Sequence, residues 1–271
     1  GFHVTSYYAP TARFGTPDDM RLLIDRLHQA GIGVIMDWVP AQFPKDLFAL
    51  AKFDGLPLYE HPEPRRHEAE LATVPFDYRR PEVRSFLVSN ARYWLEEFHL
   101  DGLRLDAVAS MLYLDDARAD DAWAPNVHGG RENFDAIKFL QQLSTAVHTA
   151  LPGALLIAEN ASGFPGTTES PTRAGLGFDM KWDTRWMRDS LRFMTRQHAE
   201  RARHVGEMRY SFTAAAHERV VLPLSHETVV DGRQSLLTRM PGDAAQKLAN
   251  IRASLSFMWA HPGKKLLFMG T

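Results

Sequence analysis

Acidic side chains end three short, strand-like segments of this sequence. Asp37 and Glu159 each follow a run of apolar residues, and Asp106 follows a run that is apolar except for Arg104. The carboxyl ends of parallel strands meet at one end of a sheet, which is where α/β barrels place their enzyme sites. We therefore interpret the three acids as parts of a candidate active site.

Asp106 and Glu159 are the pair with the most specific chemistry. Retaining glycoside chemistry uses two carboxyl groups about 5–5.5 Å apart, one as nucleophile and one as acid/base. Side chains alternate along a strand, so Arg104 faces the same way as Asp106 and would keep that carboxylate ionised. The apolar strand before Glu159 would raise the pKa of its carboxyl group. The alternative is a structural ion pair beside an unrelated acid at a strand end.

Helical and strand-like patterns alternate along the chain. We predict helices over residues 16–30, 81–98, 131–150, 184–198 and 244–260, and strands over residues 33–37, 102–106, 154–159, 177–182, 220–224 and 265–269. Such alternation indicates parallel strands joined by right-handed crossovers. A TIM (β/α)₈ barrel has eight strands. We therefore expect an α/β fold with one domain over residues 1–271, an incomplete TIM barrel whose first two strands lie upstream of Gly1.

Composition limits the partners and cofactors of the protein. The 271 residues carry a net charge of −2 and include no cysteine, so disulfides and thiolate metal sites are excluded and nucleic acid is not an expected partner. The sequence has no apolar run of about 18 residues and no leader-like N-terminus, so we expect no membrane association and a cytoplasmic location. Histidine spacing predicts no metal site, and no glycine-rich phosphate loop follows a strand, so we expect no cofactor.

Several motifs in chain order resemble the α-amylase family of glycoside hydrolases, and within it the 1,4-α-glucan (glycogen) branching enzymes. The matching segments are YYAPTARFGTPDD (7–19), GIGVIMDWVPAQFPKD (31–46), FDGLPLYEH (53–61), YWLEEFHLDGLRLDAVASMLYLD (93–115), GGREN (129–133), GLGFDMKWD (175–183), LPLSHETVV (222–230) and HPGKKLLFMG (261–270). The resemblance implies cleavage of α-1,4 bonds by a double displacement and transfer of the chain to a 6-OH. The product would be an α-1,6 branch in glycogen, made without a cofactor.

The same resemblance implies roles for individual residues. Asp106 matches the nucleophile, Glu159 the acid/base, and Glu227 the position of a third acid that holds the sugar in the transition state. The implied substrate-binding residues are Arg104, His226, Asp37, Gln42, Phe2, Tyr8 and Trp38. For Tyr8 and Trp38, packing is an equally open interpretation. We expect an α-1,4-glucan such as glycogen or amylose as substrate, and a monomer.

Three of these positions depart from the family pattern. Glu227 stands where the family has Asp, Gln42 where it has His, and Phe2 where it has Tyr. The longer side chain of Glu227 would move its carboxylate by about 1 Å, a displacement that costs about 10²-fold in rate. Two alternatives to branching therefore stay open: a glucan hydrolase that uses water as acceptor, and a glucan-binding protein with impaired turnover.

Overall fold

A computed structural model describes residues 3–60, 72–116, 123–226 and 234–268 of the chain. Two predicted site residues, Phe2 and Glu227, lie outside the described residues. The chain packs as two compact units. The first comprises residues 1–159 and 169–179, and the second comprises residues 160–168 and 180–271.

Three parallel strands form the sheet of the first unit. They are β1 (Ile35–Trp38), β4 (Gly102–Leu105) and β5 (Leu155–Glu159), with β4 in the middle. A separate antiparallel pair, β2 (Gln42–Pro44) and β3 (Thr73–Pro75), lies within the long connection after β1. The sequence predicted the three parallel strands but not the β2–β3 pair.

Helices alternate with the parallel strands as the sequence pattern predicted. In the first unit they are α1 (Pro17–Gln29), α2 (Pro81–Glu97), α3 (Val108–Leu112) and α4 (Phe134–Ala150). Thr16 caps α1 in a reciprocal capping box with Asp19. Helix α4 begins three residues later than predicted, because the side chain of Asn133 caps it through the backbone N–H of Ala136 at 3.3 Å.

The core of the first unit lies between the sheet and its helices. Leu87 of α2, Leu103 of β4, Phe139 of α4 and Leu156 of β5 are fully buried. Val83 and Leu87 lie one helical turn apart on α2, as do Phe139 and Leu143 on α4, so each helix buries one apolar face. Every residue of β4 is buried. Burial of this surface is the main force that holds β4 and β5 in place.

A carboxylate joins adjacent strands at the end of the sheet opposite the candidate site. The Oδ2 atom of Asp101 accepts a hydrogen bond from the backbone N–H of Val34 at 2.6 Å and lies 2.8 Å from Nε2 of His28, in the last turn of α1. The same kind of contact recurs among Asp179, Leu156 and His148, at 2.8 and 2.9 Å. Asp101 therefore ties α1 and the residue before β1 to the segment that enters β4, and Asp179 ties the residues after Gly177 to α4 and β5.

The second unit also contains three parallel strands. They are β6 (Met180–Trp182), β7 (Val220–Leu224) and β8 (Lys264–Leu267), with β7 in the middle. The helices are α5 (Thr184–Met194), α6 (Gly206–Ala215), α7 (Leu236–Arg239) and α8 (Ala244–Ala260), together with a 3₁₀ helix at His198–His204. The core includes Trp186 and Leu191 of α5, Leu222 of β7 and Met258 of α8.

The predicted α/β pattern is confirmed for all six strands, and their pairing within each unit is parallel. Helix α5 ends at Met194 rather than at residue 198, and α3, α6 and α7 were not predicted. No helix in the described part of the chain is long and apolar enough to cross a membrane.

Candidate functional site

Neighbouring strands bring Asp106 and Glu159 to the same end of the sheet. The β4–β5 register pairs Leu105 with Ala158, so the two acids follow the last registered pair of residues. Adjacent strands lie about 4.8 Å apart. The Oε2 atom of Glu159 accepts a hydrogen bond from the backbone N–H of Ala107 at 2.7 Å. The carboxyl group of Glu159 is therefore held against the residue that immediately follows Asp106.

Arg104 connects the acids of β1 and β4. Its Nη1 atom lies 3.3 Å from Oδ1 of Asp106 and 3.1 Å from Oδ1 of Asp37. The Arg104 side chain is 3% exposed, whereas that of Asp106 is 18% exposed and that of Asp37 is 54% exposed. A buried guanidinium in contact with two carboxylates fixes their orientation. This arrangement suits an Asp106 that must be anionic to act as a nucleophile.

The backbone around Asp106 is fixed on both sides. The N–H of Asp106 donates to the carbonyl oxygen of Trp38 at 2.9 Å, which continues the β1–β4 hydrogen bonding by one residue. Ala107 then adopts a left-handed conformation, with φ 56° and ψ 37°, and α3 begins at the fully buried Val108. This tight turn directs the Ala107 N–H toward Glu159.

Trp38 and Tyr8 have structural partners within the first unit. The Trp38 indole is 3% exposed, and its Nε1 donates to Oδ1 of Asn90 at 2.7 Å. The Tyr8 hydroxyl donates to the carbonyl oxygen of Phe86 at 3.0 Å, and its ring centroid lies 5.1 Å from that of Tyr93. These contacts account for the presence of both aromatic residues through packing, and a substrate contact for either one stays a prediction.

Tyr7 was not singled out from the sequence, although it adjoins Tyr8 in the first motif. Its buried hydroxyl donates to the carbonyl oxygens of Val39 and Gln42, each at 3.0 Å, and burial raises the pKa of Tyr7 far above its ordinary value. The Oε1 atom of Gln42 in turn accepts a hydrogen bond from the Thr73 hydroxyl at 2.9 Å. The segment after β1, which carries Gln42, is therefore held by Tyr7 and by β3.

The predicted residue of the second unit that the structure describes is His226. It follows Ser225 at the end of β7, and its ring centroid lies 6.1 Å from that of Phe268. Its action together with Asp106 and Glu159 stays a prediction, as does the role of Glu227. Among the residues that the structure describes, no group of three or more His, Asp or Glu side chains is placed to hold a metal ion.

Comparison with known proteins gives the family. The sequence model of the alpha amylase catalytic domain matches residues 67–230, which is more than half of the chain. The chain belongs to the α-amylase family. It contains part of the family's catalytic domain, and the resemblance drawn from the motifs is confirmed.

Curated relatives match the whole chain. The 1,4-alpha-glucan branching enzymes of Leifsonia xyli subsp. xyli and Nocardia farcinica are each 58% identical over 271 residues, and that of Mycobacterium tuberculosis (strain CDC 1551 / Oshkosh) is 57% identical. The chain spans 36–37% of the length of these three relatives.

Solved structures support the fold. The α-amylase of Geobacillus thermoleovorans matches with a TM-score of 0.65 and 17% identity, covering 100% of this chain and 56% of that one. The type III pullulan hydrolase of Thermococcus kodakarensis matches with a TM-score of 0.66 and 20% identity, covering 100% and 46%. The predicted α/β fold of the TIM-barrel type is thus confirmed, and the location of two further strands upstream of Gly1 stays a prediction.

Proposed function

We propose that this protein is a 1,4-α-glucan branching enzyme in which Asp106 is the nucleophile and Glu159 the acid/base. The observation that carries the proposal is the hydrogen bond between the Glu159 carboxyl and the Ala107 N–H, which joins the two acid-bearing strand ends. The identity of 57–58% to branching enzymes over the whole chain supports this activity over others in the family.

In the first step, an Asp106 carboxylate oxygen attacks the anomeric carbon of an α-1,4-linked glucose. The bond to the leaving 4-oxygen breaks, and Glu159 donates a proton to that oxygen. The reducing-side part of the glucan departs, and the other part stays attached to Asp106 as a glycosyl ester. Arg104 keeps Asp106 anionic and oriented before the attack.

In the second step, the ionised Glu159 removes the proton from the 6-OH of an acceptor glucan. The acceptor oxygen then attacks the anomeric carbon and displaces Asp106. Two inversions retain the α configuration and create an α-1,6 branch. Asp37 supports this chemistry from β1 through its contact with Arg104 at 3.1 Å.

The remaining residues in the proposal act on the substrate. We assign His226, Gln42, Phe2, Tyr8 and Trp38 to glucan contacts and Glu227 to the third acid of the site. The substrate would be an α-1,4-glucan such as glycogen or amylose, used in glycogen synthesis. We further expect a monomer that acts in the cytoplasm.

The test is a branching assay on amylose. Loss of iodine colour together with new α-1,6 anomeric signals in the NMR spectrum would support the proposal. We expect Glu159→Gln to reduce activity by about 10²–10⁴-fold and Asp106→Asn to remove it. Asp25→Asn, an exposed acid of α1, is the matched control and should leave activity unchanged.

Two other outcomes would replace the proposal. Free reducing ends without α-1,6 linkages would identify a hydrolase. Binding of amylose without any change in its linkages would identify a glucan-binding protein with an impaired site. In that case, a strong gain of activity in Glu227→Asp would trace the impairment to the third acid.

A further inference from the structure

We propose that Ala107 is a positioning residue whose backbone N–H holds the Glu159 carboxyl and lowers the proton affinity of that group. The inference deepens the proposed function, on which it rests, by assigning a group that tunes the acid/base. Its basis is the 2.7 Å hydrogen bond from the Ala107 N–H to Oε2 of Glu159. A bond of this length to a carboxylate is in the range of strong, charge-assisted hydrogen bonds.

The conformation of Ala107 is unusual and is imposed by its surroundings. Its φ of 56° lies in the left-handed region, which residues with a Cβ atom rarely adopt. Asp106 is tied to the carbonyl oxygen of Trp38 at 2.9 Å, and Val108 is fully buried at the start of α3. Strained backbone conformations that are held by their neighbours cluster at active sites. The conformation of Ala107 fits this pattern.

The electrostatic effect of this contact has a definite sign. A peptide N–H only donates, so it stabilises the ionised carboxylate of Glu159 more than the protonated form. Among the described residues of the first unit, charged groups near the site include Arg104 on β4, Asp106 directly after β4 and Asp37 on β1. A negative Asp106 favours the protonated form of Glu159, whereas the Ala107 N–H opposes it. The contact would therefore help Glu159 to release its proton to the leaving oxygen in the first step and keep it ionised until it accepts the acceptor's proton in the second.

Replacing the amide at residue 107 with an ester tests this inference. Incorporation of L-lactic acid in place of Ala107 removes the N–H and keeps the methyl group. The matched control is the same replacement at Ala174, which is exposed and left-handed with φ 63° and donates its N–H to Pro171 at 3.1 Å. The readouts are the pKa of Glu159 from ¹³C-carboxyl NMR, assigned with Glu159→Gln, and the pH profile of kcat/KM.

We expect the ester at 107 to raise the pKa of Glu159 by about one unit, because one hydrogen bond to a charged group is removed. The alkaline limb of the pH profile should move up by the same amount, and the ester at 174 should move neither. An unchanged Glu159 pKa, or equal shifts from both esters, would overturn the inference. If the ester at 107 raised the Glu159 pKa but the unmodified protein formed no α-1,6 bonds, the inference about Ala107 would hold and the proposed function would be rejected.

A second pair of variants tests the inference if the protein with the ester at 107 does not fold. Ala107→Val disfavours positive φ and should turn the N–H away, whereas Ala107→Gly accepts this conformation. The Glu159 pKa should therefore be higher in Ala107→Val than in Ala107→Gly. Equal values in the two variants would contradict the inference.

Discussion

Gly102 allows β4 to approach β5 closely, and adding a single methyl group there should damage both stability and activity. A Cβ atom built on Gly102 would lie 2.5 Å from the carbonyl oxygen and 2.9 Å from the Cβ atom of Leu155. Because real Cβ contacts are essentially never shorter than 3.0 Å, the two strands would have to separate by about 0.5 Å or more in Gly102→Ala. Backbone atoms form this obstacle, so no rotamer change can relieve it.

The expected change in the free energy of unfolding of Gly102→Ala combines two opposing effects. Replacing a glycine in a strand with alanine ordinarily stabilises a protein by about 0.5–1 kcal/mol. Overpacking of a buried site costs about 1–3 kcal/mol, so we expect Gly102→Ala to lower the free energy of unfolding by about 1–2 kcal/mol. Asp106 directly follows the displaced β4. A displacement of about 1 Å in a reacting group costs about 10²-fold in rate, so half that distance should lower kcat by about tenfold.

The assay compares Gly102→Ala with Gly153→Ala. A Cβ on Gly153, just before β5, would meet nothing within 4 Å, so this control should be as stable as the wild type or slightly more so. Denaturant unfolding gives the free-energy change, and branching of amylose gives kcat. If Gly102→Ala and Gly153→Ala had the same free energy of unfolding and the same kcat, the close approach of β4 and β5 would not be what positions Asp106.

Three further predictions concern single contacts. Asp101→Asn should be less stable than the wild type at neutral pH. Burial alone would raise the pKa of Asp101, but the Val34 N–H and His28 outweigh burial and lower it. The difference should therefore be present above about pH 4 and disappear as the pH falls further, measured by thermal unfolding. Thr16→Ala removes the cap of α1 and should cost about 1 kcal/mol in denaturant unfolding, with Thr16→Ser as the control. Arg104→Met should lower kcat far more than it changes KM in the branching assay; a raised KM with an unchanged kcat would mean that Arg104 contributes binding alone.

Much of the fold could be predicted from the sequence because its signals are local. A capping residue, an apolar stripe or an alternating run acts over a few neighbours, so helices such as α8 (Ala244–Ala260) were predicted with their observed ends. The pairing of β2 with β3 was missed because it joins segments about 30 residues apart within one long connection. The helix expected to reach residue 198 stops at Met194, and a separate 3₁₀ helix begins at His198, a change of helix type that periodicity does not report.

The candidate site likewise has features that follow from local sequence and features that depend on distant contacts. The sequence by itself determined that Arg104 and Asp106 share a face, because alternation on a strand needs no distant contact. It also placed Glu159 at a strand end. Only the tertiary structure decided that Glu159 meets the Ala107 N–H across 52 positions of sequence, and that the Trp38 indole bonds to Asn90 across another 52. A backbone N–H has no residue type to mark it, and strand register is set by packing over the whole interior, so neither could be predicted from the sequence alone.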